Sequence, residues 1–229
     1  MENICIIPLR SKSKGLKNKN IKFLNKLPLC IYSIKVAIES KIFKKIFIAI
    51  DNVKYEIIIS SFIKKLKINK TKVIFFYRSK FSSRDNSKTE IVLNEILRNN
   101  SNYTYCYLLQ ATSPLIQQKD LEKVNKMTKN NYDSLFSSYK TKKFFWQYKN
   151  NKLKNLNYDF LNRPMRQKQK NCFVENGAIY AFKIKKFLQY KNRLFGKIGT
   201  YVMEEKNSLD INDIDDFRKA EKILKKKKL

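Results

Sequence analysis

The chain predicts an α/β fold, a doubly wound and mostly parallel sheet, and three observations carry that expectation. Short apolar runs of strand length recur along it, helical patterns separate them, and the basic loop at 9–20 leaves the end of the first run. At 229 residues with 43% hydrophobic content, the chain suffices for one large domain with a real core. That content also separates it from a disordered polyelectrolyte, in spite of a formal net charge of +31.

The first run, "NICIIP" (3–8), has the length and β-branched content of a buried strand. Residues 28–39, "PLCIYSIKVAIE", open with proline near the first turn and carry apolar residues at helical spacing. "KKIFIAI" (44–50) is the second strand, 53–66 the next helix, and "KVIFFY" (72–77) the third strand. A helix over 86–98 follows, with Asp85 or Asn86 placed to cap it and Thr89 and Glu90 in its first turn. "YCYLLQ" (105–110) is the fourth strand, and 118–129 a further helix. Strand and helix in alternation imply parallel pairing through right-handed crossovers, with ligands bound outside the carboxyl ends of the strands.

That rhythm breaks after about residue 138. "KKFFWQYKNNKLKNL" (142–156) predicts two aromatic-rich strands around a polar turn. A hairpin carrying Phe144, Phe145 and Trp146 has too much apolar surface to stand alone in water, so it packs on a second subunit or on an intramolecular core. The domain expectation is therefore a main α/β unit over 1–138 and 173–229, interrupted by a hairpin or dimerisation insertion over 139–172. The sheet resumes at "NGAIYAFKI" (176–184), and Asp213 caps a last helix, 214–225, with Asp216 in its first turn. The closing lysines suit a helix C-terminus.

Composition excludes several chemistries. Histidine is absent, which removes His general bases, Ser-His and Cys-His pairs and His-ligated zinc. Cys5, Cys30, Cys106 and Cys172 lie far apart with no C-x-x-C pair, which argues against a zinc site, and Cys5 and Cys106 sit in apolar runs as core residues. No charge-free stretch approaches the roughly 20 residues of a membrane span, and the first apolar run is too short for a signal peptide. The expectation is a reduced, cytoplasmic protein without a membrane partner. The lysines are scattered through the whole chain and form no single arm, which favours solvated faces over a nucleic-acid interface.

Three segments could carry chemistry. "IIPLRSKSKGLKNKN" (6–20) places Arg10, Lys12, Lys14, Lys17 and Lys19 after a strand with one glycine, Gly15, and no acid. It is neither a Walker A loop nor G-x-G-x-x-G, and it fits a polyphosphate site or a solvated loop alike. "LLQATSPL" (108–115) sets Gln110, Thr112 and Ser113 at another strand end, as a reader of base or sugar or as a capped turn. In "SLDINDIDD" (208–216), alternation in an extended segment points Asp210 and Asn212 the same way. Two oxygen ligands, completed by phosphates and water, suit Mg²⁺. Helix capping accounts for Asp213 and Asp216 better than it accounts for Asp210.

Together with "FFYRSKFSSRDNSKT", "ENGAIYAF" and "SLDINDIDDFRKAE", in order and at similar spacing, these segments resemble the CMP-sialic acid synthetase family, the cytidylyltransferases that activate nonulosonic acids. The resemblance runs nearly end to end. It implies a Rossmann-like nucleotidyltransferase, CTP and an acidic nine-carbon sugar as substrates, Mg²⁺ as cofactor and a homodimer. By the same resemblance Arg10, Ser13 and Lys14 meet the triphosphate, with Gly15 in the loop, and Asn20 helps hold the nucleotide. Arg78 and Thr89 contact the cytidine. Gln110, Asn176 and Tyr180 line the sugar pocket, Arg166 is lent to the sugar by a second subunit, and Asp210 and Asn212 hold the metal. Lys14, Arg10 and Asp210 carry catalysis.

Two departures stand out. Asn212 occupies a position where the family often has Asp, which leaves a carbonyl ligand without its charge, and Ala111 replaces a common proline. "LLQATSPL" is nearer the sialic and legionaminic branch than the pseudaminic one, which remains the alternative sugar class. The alternatives of another kind are a basic nucleic-acid-binding protein and a degenerate homologue that binds CTP without turnover.

Overall fold

In a computed structural model, residues 2–11, 16–69 and 71–226 are described. The elements run β1 (Asn3–Pro8), a short β2 (Phe23–Leu24) and β3 (Leu27–Pro28), α1 (Leu29–Glu39), β4 (Phe43–Ile50), α2 (Val53–Lys65), β5 (Val73–Tyr77) and α3 (Thr89–Leu97). They continue with β6 (Tyr105–Leu109), α4 (Gln118–Thr128), β7 (Ser134–Thr141), β8 (Trp146–Lys149), β9 (Lys152–Asn155), β10 (Cys172–Lys183), α5 (Ile184–Tyr190), β11 (Ile198–Val202) and α6 (Ile214–Lys226). The main sheet has seven strands in the order β11-β7-β10-β6-β1-β4-β5, and all are parallel except β10. β1 lies between β4 and β6, so the chain reverses its direction of winding between β1 and β6. A crevice opens at such a point.

Strand alternation divides the core between the two faces of the sheet. Cys5 and Ile7 of β1, Tyr107 of β6 and Ile48 of β4 pack under α1, α2 and α4 through Ile34, Ile59 and Leu121. Ile4 and Ile6, Leu108 and Phe47 face the other way, against Val92 and Ile96 of α3 and Phe187 of α5. Two-sided burial is why these strands read as nearly continuous apolar runs. α6 closes a third cluster, where Phe217, Ala220 and Leu224 meet Leu24, Leu29, Tyr32 and Ile211. No helix among the described residues is long and apolar enough to cross a membrane.

Three features differ from the sequence expectation. α3 starts at Thr89, after Lys88 in an extended conformation and with no side-chain cap, so neither Asp85 nor Asn86 caps it. Instead 84–87 forms a turn, Ser87 N–H donating to the Arg84 carbonyl, and the Asp85 carbonyl is taken by Arg10. β7, α5 and β11 have no counterpart in the sequence reading, since the serines of β7 obscure its apolar period and Gly199 interrupts β11. A Cβ on Gly199 would lie 2.7 Å from Leu135 and Tyr132, so glycine there permits close approach of β11 to β7. Lastly, the hairpin is shorter than expected. Its turn is Asn150 and Asn151, both at positive φ, as a two-residue hairpin requires.

β7 and β10 extend as a ribbon, Thr141 paired with Cys172, and the excursion over 142–171 grows from its tip. Part of its aromatic surface is satisfied within the excursion. Phe144 packs on Tyr158 at 4.4 Å between ring centroids, Trp146 on Tyr158 and Phe160 at 5.8 and 5.9 Å, and Arg163 lies over Phe144. Tyr148 and Leu161 stay 75% and 79% exposed, well beyond what an intramolecular core would leave.

Candidate active site

A cleft of ≈ 530 Å³ lies at the carboxyl ends of β1, β5 and β6, where the winding reverses. Each parallel strand delivers a residue to it by ending there. After β1, Leu9 N–H donates to the Ala49 carbonyl (2.7 Å), which carries the chain out of the sheet at Arg10. The Arg10 guanidinium donates to the carbonyls of Arg84 (3.0 Å) and Asp85 (2.9 Å), with the Asp85 carboxylate 3.7 Å away. These contacts tie the first loop to the segment after β5. From β5, Arg78 N–H donates to the Ile50 carbonyl, and its guanidinium donates to the Ser82 carbonyl. From β6, Gln110 accepts Ser33 Oγ on its carbonyl while its side chain lines the cleft.

The first loop returns through a 3₁₀ turn at Lys19–Ile21. Asn20 is buried there and donates to the Arg10 carbonyl (3.0 Å), closing the loop on its own start. Lys19 reaches the other end of the chain, donating from Nζ to the Ile211 carbonyl at 2.7 Å. Ile211 N–H in turn donates to the Thr112 carbonyl (2.9 Å), so the Asp210–Asn212 segment lies along the β6 loop. A side-chain cap follows, as the sequence implied for α6. Asp213 accepts from Asp216 N–H, and the Asp216 carboxylate accepts from Asn212 N–H, one residue before the cap.

The electrostatics suit an anion. Burial lowers the Arg78 pKa, the nearby Arg10 cation pushes the same way, and Asp51 and Glu95 oppose them. Burial also lowers the pKa of Lys19, against the pull of Asp210, Asp216 and Asp213. Two guanidinium groups and a half-buried ammonium, Arg10 and Lys19 from the first loop and Arg78 from the end of β5, line one cleft with Asn20, Thr89, Gln110 and Asn212. Arg78 Nε is buried without a hydrogen-bond acceptor, a cost that an incoming anion would remove.

Asp210 and Asn212 stand side by side, with Asn212 Nδ2 donating to Asp210 Oδ2 at 3.2 Å. Asp210 Oδ1 is buried and unpartnered. An orphaned carboxylate oxygen beside an amide, at the edge of an anion cleft, fits a divalent ion held by one or two protein oxygens with substrate phosphates completing its shell. Among the described residues no group of three or more Cys, Asp or Glu could hold a metal by itself.

The structure therefore brings Arg10, Asn20, Arg78, Thr89, Gln110 and Asn212 together, with Asp210 adjoining. Ser13, Lys14 and Gly15 lie outside the described residues. Asn176 and Tyr180 do not line the cleft. Asn176 is buried and bonded to Ser137, Ala178 N–H, Ser208 and Met203, filling the bulge where β10 breaks register with β7. Tyr180 donates to the Glu175 carboxylate beneath the Arg193 guanidinium. Arg166 is exposed on the excursion. Sequence reasoning gave no separate role to Lys19, which was one cation among several, nor to Asp85, which was read as a cap.

The family described as "Cytidylyltransferase" matches residues 4–229 of the chain. The chain is 31% identical to the N-acylneuraminate cytidylyltransferase of Escherichia coli, over 98% of its own length and 52% of that protein. It is 30% identical to the CMP-N,N'-diacetyllegionaminic acid synthase of Campylobacter jejuni, over 100% of its own length and 97% of that protein. Thus it spans about half of one relative and nearly all of the other. The solved structure of a CMP:2-keto-3-deoxy-manno-octonic acid synthetase complexed with CTP superposes with a TM-score of 0.71, covering 99% of this chain and 100% of that one. At 13% identity that likeness concerns the fold.

Proposed function

The chain belongs to the cytidylyltransferase family and is a nucleotidyltransferase, and we propose that it transfers CMP from CTP to the anomeric hydroxyl of a nonulosonic acid of sialic or legionaminic type, releasing pyrophosphate with Mg²⁺ as cofactor. The observation that carries this reading is the convergence of Arg10, Lys19 and Arg78 on one cleft beside Gln110 and Asn212. The two relatives named for sialic and legionaminic acids support the choice of sugar.

In this reading the anomeric oxygen attacks the α-phosphorus, the bond to the bridging oxygen of the β-phosphate breaks, and pyrophosphate leaves. The protein contributes placement and charge, which suffice for nucleotidyl transfer and explain how a chain without histidine manages it. Arg10 and Lys19, with Lys14 from the same loop, neutralise the triphosphate. Arg78 and Thr89 hold the cytidine, and Gln110 the sugar. Asp210 and Asn212 would hold the Mg²⁺, which when bound screens phosphate charge and acidifies the attacking hydroxyl. The excursion serves as the contact between two subunits, and its Arg166 is lent to the acidic sugar of the partner's site.

Purified protein mixed with CTP, Mg²⁺ and a panel of nonulosonic acids tests this. Pyrophosphate release is expected with N-acetylneuraminic or N,N'-diacetyllegionaminic acid. Release with pseudaminic acid alone would move the assignment to the alternative sugar class, and silence across the panel would overturn it.

A further inference from the structure

The end of β4 controls two exits from the sheet. The Ala49 carbonyl accepts Leu9 N–H and the Ile50 carbonyl accepts Arg78 N–H, both of them ordinary ladder bonds that fix the strands on either side. The next N–H on the β1 side, that of Ser11, is not taken by main chain. Both carboxylate oxygens of Asp51 accept it, at 2.9 and 3.2 Å. A side chain thus adds a last rung to the β1–β4 ladder at the start of the basic loop. The same carboxylate is the largest favourable charge on the half-buried Arg78. Tyr55, whose buried hydroxyl has no partner, also senses it.

A carboxylate behind an anion cleft repels the ligand the cleft is built for, so its presence calls for a compensating role. Asp51 does not line the cleft; it holds the main chain that does. We propose that Asp51 is a positioning residue for the triphosphate: its carboxylate fixes the main chain at Ser11 N–H, directly after Arg10, and offsets the repulsion between Arg10 and Arg78 while the cleft is empty. This rests on the cytidylyltransferase reading. The two roles separate by substitution. Asp51→Asn keeps an acceptor for Ser11 N–H and removes the charge, whereas Asp51→Ala removes both.

The test compares wild type, Asp51→Asn and Asp51→Ala by calorimetric titration with CTP, by turnover and by Tm. Asp51→Asn is expected to bind CTP at least as tightly as wild type and to keep kcat within about threefold. Asp51→Ala is expected to lose about tenfold or more in kcat and in CTP affinity, the scale of one charge-assisted hydrogen bond. Equal impairment of both variants, wild-type behaviour of Asp51→Ala, or losses that follow Tm alone would overturn the proposal. Should Asp51→Ala fail to fold, a tenfold loss of CTP affinity in Asp51→Asn overturns it by itself. If wild type binds CTP but converts no sugar, the functional proposal falls while the CTP affinities still decide the role of Asp51. If wild type binds no CTP, both fall.

Discussion

Lys19 is the residue whose position explains most about the cleft. It leaves the 3₁₀ turn beside a buried Asn20 and bonds to a carbonyl 192 residues away in sequence. Lys19→Met removes that bond and a cation from the cleft together, and loss of one such preorganised donor is expected to lower kcat by about 10²–10³-fold. A steady-state assay checks it, with circular dichroism expected to stay native. Away from the cleft, Asp133 is the most strongly held carboxylate. The ammonium groups of Lys186 (2.8 Å) and Lys183 (2.9 Å) and the Lys197 N–H hold its pKa well below the usual carboxylate range. A depressed carboxylate contributes stability that is present above its unfolded value of ~3.9 and fades as pH falls below that. Asp133→Asn is therefore expected to cost roughly 2 kcal/mol at pH 7, with the gap from wild type narrowing by pH 3 in thermal melts. Gly196, at φ +60°, faces the same carboxylate, and an added Cβ would sit 2.3 Å from Oδ2. Gly196→Ala is expected to destabilise by about 1–3 kcal/mol, read as a fall in Tm.

At the level of elements, the excursion and α6 have opposite characters. α6 is held through its cap and its apolar face, so Asp213→Ala is expected to cost about 1 kcal/mol and to loosen Asp216, whose carboxylate accepts from Asn212 N–H. The excursion keeps Tyr148, Leu161 and Met165 in solvent although its inner aromatic residues are packed together. If this surface joins two subunits, Tyr148→Glu with Leu161→Glu should shift sedimentation from dimer to monomer. CTP affinity should be unchanged, because neither residue lines the cleft. The sequence exposed the aromatic excess of this region, but the division between an internal cluster and an outer face depends on where Tyr158 and Phe160 fold back.

For the whole molecule, the formal charge of +31 invites a polyanion reading, yet among the described residues the cations lining the cleft are Arg10, Lys19 and Arg78. CTP at a hundredfold excess over its Kd is expected to add about 2.7 kcal/mol of stability, a rise in Tm of roughly 5–10 °C at this size. Arg78→Ala should remove most of that rise in a thermal-shift titration. The apolar runs at 3–8, 44–50 and 105–110 were legible as strands because burial on both faces leaves few polar positions in them, and 72–77, half-exposed at the sheet edge, was legible through its β-branched and aromatic residues. β7 was not, because Ser134, Ser137 and Ser138 are buried through hydrogen bonds to partners far along the chain.

The sequence by itself determined the parallel core, the basic loop after β1, the acidic start of α6 and the absence of any histidine chemistry, because periodicity, capping and residue type are local properties. Tertiary structure alone decided that Lys19 meets Ile211, that Asp51 ends the β1–β4 ladder and that Asn176 fills a bulge. Each of these contacts depends on strand order and register, and neither quantity is a property of a short stretch of chain.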